Sequence, residues 1–81
     1  MFLRGQVIRS SAGRDTGYLM AVTACDSNYV YVSDGKERRL GNPKRKNPRH
    51  VEITAWVLEE SRMRSDRELR KALAQLESIN E

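Results

Sequence analysis

Turn chemistry interrupts the first half of this chain so often that no long helix fits there. The interruptions fall at Ser10–Gly17, Asp26-Ser27-Asn28, Asp34-Gly35 and Gly41–Pro48. Glycine, proline, asparagine and aspartate supply the backbone angles and local hydrogen bonds that end regular structure. Short runs with strand alternation lie between them: Gln6–Arg9, Tyr18–Cys25, Tyr29–Ser33, Lys36–Leu40 and Arg49–Ile53. Asp34-Gly35 is the strongest hairpin signal, with Lys36–Leu40 as the returning strand. Val7 faces inward. Ile8 falls on the opposite face, so it lies under the C-terminal segment or its strand is covered on both sides. In Tyr18–Cys25 the set Tyr18, Met20, Val22 and Ala24 is more apolar than Leu19, Ala21 and Thr23 and is expected inside. Val30, Val32, Val51 and Ile53 are expected inside, with Tyr29 and Tyr31 outside. Short strands joined by tight turns predict a mainly β fold, a small five-stranded antiparallel barrel over residues 1–54. Closure removes edges that so small a sheet could not protect.

Beyond residue 54 the pattern changes. Ala55-Trp56-Val57-Leu58 is apolar and leads into a possible short helical turn at Glu59–Arg64. Ser65-Asp66-Arg67-Glu68 has the form of a capping box, serine at the N-cap and glutamate three residues on. Leu69, Ala72, Leu73, Leu76 and Ile79 follow at helical spacing, predicting an amphipathic helix over about residues 66–80. Its apolar stripe must be buried on the wall near Ile8 and Trp56 or on a partner chain. The first is expected, because a helix this short is marginal alone.

The charge is unevenly placed. Residues 1–50 carry ten Lys or Arg and four Asp or Glu, a balance of +6, whereas residues 51–81 carry five and seven, a balance of −2. A basic body with a near-neutral extension points to a polyanionic partner, against the blander reading of a solubilising surface. The GNPKRKNP segment from Gly41 to Pro48 is expected to be irregular. Lys44, Arg45 and Lys46 then project from the tip of a loop stiffened by Pro43 and Pro48. With Arg14 between Gly13 and Gly17, Arg38 and Arg39 on a strand, and Arg49 at the start of the last strand, they form the candidate phosphate contacts. Tyr29 and Tyr31 are candidates for base stacking, or for ordinary cross-strand packing.

Little in the chain points to catalysis. His50 is the single histidine and Cys25 the single cysteine, so no cysteine pair can form a disulfide or hold a metal. His50 has no evident base, acid or ligand set, and Cys25 no neighbouring base. No phosphate-loop or dinucleotide fingerprint is present. No run approaches the roughly 18 apolar residues of a membrane span, and the N-terminus lacks the form of a signal peptide. The expectation is a cytoplasmic monomer without catalytic residues, cofactor or membrane partner.

Gly5-Gln6-Val7-Ile8-Arg9, Ala12-Gly13-Arg14-Asp15, Gly17 and the apolar run to Val22 resemble the KOW motif. Ser33-Asp34-Gly35-Lys36, Arg38-Arg39-Leu40, Asn42-Pro43-Lys44-Arg45-Lys46, Arg49-His50-Val51 and the tail Ser65–Leu73 are similar to a small bacterial KOW-domain group. That group is related to archaeal and eukaryotic large-subunit ribosomal proteins. The resemblance covers most of the chain. It implies an SH3-like barrel and binding to RNA, ribosomal or otherwise structured, with ribosomal proteins as further partners. One position departs from the pattern: Thr16 stands where the family usually has lysine before the second loop glycine, which removes one phosphate contact. KOW barrels of transcription factors also dock onto proteins, so a protein-interaction module is the alternative.

Overall fold

The computed structural model describes residues 2–79. It contains one five-stranded antiparallel sheet and one C-terminal helix. The strands are β1 (Gln6–Ser10), β2 (Leu19–Cys25), β3 (Val30–Ser33), β4 (Lys44–Lys46) and β5 (Val51–Val57), in the order β4-β3-β2-β1-β5. A 3-10 turn at Pro48–His50 precedes β5, and another at Glu60–Met63 precedes α1 (Asp66–Ile79). The edges β4 and β5 do not pair with each other, so the sheet is open.

Both faces of the central strands are buried, which settles the alternatives left open for Ile8. On one face Ile8, Met20, Val22, Val30 and Val32 form a cluster joined by Phe2, Cys25 and Val51. No helix packs on this cluster, yet its buried members are at most 1% exposed. Register shifts in the β1–β5 and β2–β3 pairings bend the sheet locally. On the other face Val7, Leu19 and Ala21 meet Met63, Leu69 and Leu73, with Trp56, Leu58 and Leu76 packed around them. Leu69, Ala72 and Leu73 of the helical stripe are therefore buried within the chain, on a wall built from Val7 rather than Ile8, with Leu76 half-buried, whereas Ile79, expected in the same stripe, is 68% exposed. The serine half of the expected capping box is present, Glu68 N donating to Ser65 Oγ at 3.1 Å, while the Glu68 carboxylate accepts from Arg62. Asn80, the expected last helical residue, lies outside the described residues.

Several expectations are corrected. Lys36–Leu40 is not a strand. The Asp34 carboxylate accepts from the Lys36 and Arg38 amides, and the Leu40 amide donates to Asp66 Oδ1 of α1. Amides engaged in this way cannot form a ladder with β3. The fourth strand is instead Lys44–Lys46, expected to be an irregular loop tip, which pairs Val30 with Lys46, Tyr31 with Arg45 and Val32 with Lys44. Proline beside an edge strand is tolerated because the missing donor faces away from the ladder. The last strand runs to Val57, past the boundary expected at residue 54, and Ile53 is 57% exposed rather than inward. Tyr18 and Ala24 are exposed, whereas Leu19 and Ala21 are as buried as Met20 and Val22. A strand between two cores has no polar face to set its phase.

Candidate nucleic-acid interface

The structure divides the expected cations into two kinds. Strand alternation sends Lys44 and Lys46 to the face that carries Val32 and Val30, and Arg45 to the other. Lys46, with its side chain 5% exposed, donates to Asp15 Oδ1 and to the Ala12 carbonyl, both at 3.0 Å. Lys44 donates to Asp15 Oδ2 at 3.2 Å. Ser10 Oγ donates to Asp15 Oδ1 at 2.7 Å. Asp15 thus joins the glycine loop to β4. Burial pushes its carboxyl up, but the hydrogen bonds from Ser10, Lys46 and Lys44 outweigh that and hold it at about 2.

Arg45 projects outward and lies over the Tyr29 ring, its guanidinium carbon 4.5 Å from the centroid. Tyr31 lies opposite Arg45 in the ladder and donates its hydroxyl to Asp26 Oδ2 at 2.9 Å. That bond, with burial and the Asp26 charge, raises the phenol's pKa. The Asn28 and Tyr29 amides also donate to Asp26, at 2.8 and 2.7 Å. They, with the Tyr31 hydroxyl, lower its pKa. Both tyrosines expected to stack on bases are therefore engaged by side chains of this chain.

Arg14 is exposed in the glycine loop, Arg39 in the β3–β4 connection and Arg49 in the 3-10 turn; Arg38 is half-buried in the Asp34 turn. Neither Arg38 nor Arg39 is on a strand, contrary to the expectation from the sequence. Among the described residues, none of Arg14, Arg38, Arg39, Arg45 and Arg49 has a carboxylate partner, whereas Lys44 and Lys46 share Asp15. Arg14, Arg38 and Lys44 line one surface depression of about 420 Å³, together with Tyr18 and Met20. Tyr18, which the sequence placed in the interior, also lines this depression. The β1–β2 ladder ends at Arg9 and Leu19, so Tyr18 stands beyond it, 61% exposed. Its place directly after Gly17 is the signal that could have revealed this.

His50 is exposed, and Cys25 Sγ donates to the Phe2 carbonyl at 3.5 Å. Among the described residues no group of three or more His, Cys, Asp or Glu side chains could hold a metal, and no helix is long and apolar enough to cross a membrane. No protein-family model matches the chain, and no curated protein matches it.

Proposed function

We propose that the protein is a non-catalytic RNA-binding module of the SH3-like, KOW type. It acts in the cytoplasm on ribosomal or other structured RNA through phosphate contacts. The barrel reading is supported by the Ile8–Met20 cluster, which is buried although no helix residue belongs to it. The observation that carries the RNA reading is that Arg14, Arg38, Arg39, Arg45 and Arg49, all in the basic part of the sequence, have no carboxylate partner among the described residues. A guanidinium that is not neutralised within the fold is available to a phosphate, and charge-assisted bonds to phosphate are strong. The residues that make contact are then the arginines, while Lys44 and Lys46 hold the loop that presents Arg14.

The test is a salt titration of wild type and an Arg14→Ala/Arg45→Ala/Arg49→Ala variant, on a structured ribosomal RNA fragment and a scrambled control. Each lost single-strand phosphate contact flattens the slope of log K against log salt by about 0.7, so the triple variant should lose roughly 2 units. The loss should be equal on both RNAs, because phosphate contacts position the protein without reading bases. Equal slopes with folding intact would favour the second reading, a protein-docking module. That reading rests on Ile53 and Val57, 57% and 52% exposed along the open edge of β5.

A further inference from the structure

Two depressions of about 420 Å³ each share Tyr18, Asp34 and Glu37 in their linings. One is completed by Leu19, Leu73 and Arg70, the other by Met20, Arg14 and Arg38. Tyr18 therefore stands between two hollows with apolar side chains and arginines in their walls. Its backbone is fixed: Tyr18 N donates to the Asp15 carbonyl and its own carbonyl accepts from Ser10 N, each at 3.0 Å. The ring is 61% exposed, although Leu19 and Met20 beside it are buried. A large apolar ring on a fixed backbone loses little freedom when a second flat ring covers it.

We propose that Tyr18 is the stacking subsite for one unpaired nucleobase of a single-stranded RNA segment, with Arg14 and Arg38 holding the flanking phosphates. The proposal rests on the RNA-binding reading and adds the part of the nucleotide that Tyr18 takes. Three observations favour this ring over the other two tyrosines. Tyr29 carries Arg45, Tyr31 is bonded to Asp26, and Tyr18 has no side-chain partner among the described residues. The neighbouring acids also orient the ligand. Asp15 is neutralised by Lys44 and Lys46, and Asp34 accepts from the backbone of its own turn. Glu37 is the remaining carboxylate on both linings and repels phosphate. Glu77 adds a carboxylate to the Leu73 hollow alone, whereas Arg14, Arg38 and Lys44 line the other, so the phosphates are drawn to the Arg14 and Arg38 side and the base lies over Tyr18.

The test compares a short oligouridylate with an abasic ribo-oligomer of equal length, which has the same phosphates and nothing to stack. Wild type should bind the base-bearing oligomer about five-fold or more tighter, the low end of the effect of one base–aromatic stack. Tyr18→Ala should remove that preference without weakening binding of the abasic oligomer, and Tyr18→Phe should keep it, because stacking does not use the hydroxyl. Equal preference in wild type and Tyr18→Ala would overturn the stacking role and leave the RNA reading in place. If wild type bound neither oligomer nor a structured ribosomal RNA fragment, the RNA reading itself would fall.

Discussion

Lys46 Nζ lies 3.0 Å from Asp15 Oδ1 across 31 positions of sequence, and the lysine side chain is 5% exposed. A charge that far from water is stable only with a close counter-charge and further hydrogen bonds. The Ala12 carbonyl supplies one, and Ser10 completes the carboxylate. This pair fastens the glycine loop to the short edge strand β4. It also turns two of the three clustered cations from contact residues into structural ones.

Asp15 makes stability depend on acid. Its carboxyl is held at about 2 against an ordinary value of 3.8. A group whose folded pKa is depressed contributes stability above its unfolded pKa and loses that contribution as pH falls through the folded value. Asp15→Asn should therefore be less stable than wild type at neutral pH by about 2 kcal/mol, or roughly 10 °C in melting temperature. The gap should close between about pH 4 and pH 2. Thermal melts of both proteins across that range check it, and a gap that did not change with pH would disprove the ion-pair account.

Lys46 and Arg45 are neighbours with opposite expected phenotypes. Lys46→Ser leaves Asp15 with a lost partner inside the fold and should lower the melting temperature. Arg45→Ser removes an outward side chain and should leave the melting temperature nearly unchanged. On the RNA reading it should also flatten the salt slope by about 0.7. Paired melts and salt titrations separate the two roles. A stable Lys46→Ser protein with a flattened slope would return that lysine to the binding surface.

The turn glycines should tolerate replacement very differently. Gly35 has φ +78, and a Cβ there would collide with the Asp66 carbonyl at the start of α1. A Cβ at Gly41 would have no neighbour within 4 Å. Gly35→Ala should cost more than about 1–2 kcal/mol from backbone strain alone, whereas Gly41→Ala should stay within about 0.5 kcal/mol. Urea denaturation of the two variants measures the contrast directly.

The helix is a wall of the fold. Leu69 is fully buried against Val7, Leu19 and Ala21. Leu69→Ala should cost about 2–5 kcal/mol. Removing the residues after Arg64 should leave a protein that exposes this face and aggregates. A soluble truncated chain with an unchanged melting temperature would show that the helix is dispensable.

Four of the five strands, the C-terminal helix and the serine at its N-cap were legible because each rests on local chemistry: turn residues, alternation, and Ser65 three positions before Glu68. What was hidden depended on distant partners. Nothing near Leu40 says that its amide belongs to Asp66, so the segment after Asp34-Gly35 read as a returning strand. Nothing near Lys46 says that Asp15 awaits it. The phase of β2 was undecidable for a related reason, since both its faces are apolar where Val7 and Ile8 flank opposite cores. At the candidate interface, Arg14, Arg45 and Arg49 were recognisable as exposed cations. Tyr18 was assigned to the interior because alternation was extended one residue past the last pair of the ladder.

The packing of α1 on β1 also sets the order in which the protein can mature. Val7 is synthesised long before its cover, Leu69 and Leu73, which lie more than sixty positions further along the sequence. Until Leu73 has emerged, the completed sheet carries a bare apolar flank, the kind of surface that holds nascent chains open to chaperones and to misassociation. Closure across so much of the sequence is slow compared with forming a local hairpin. The strands can pair during synthesis, but the native state must wait for the helix.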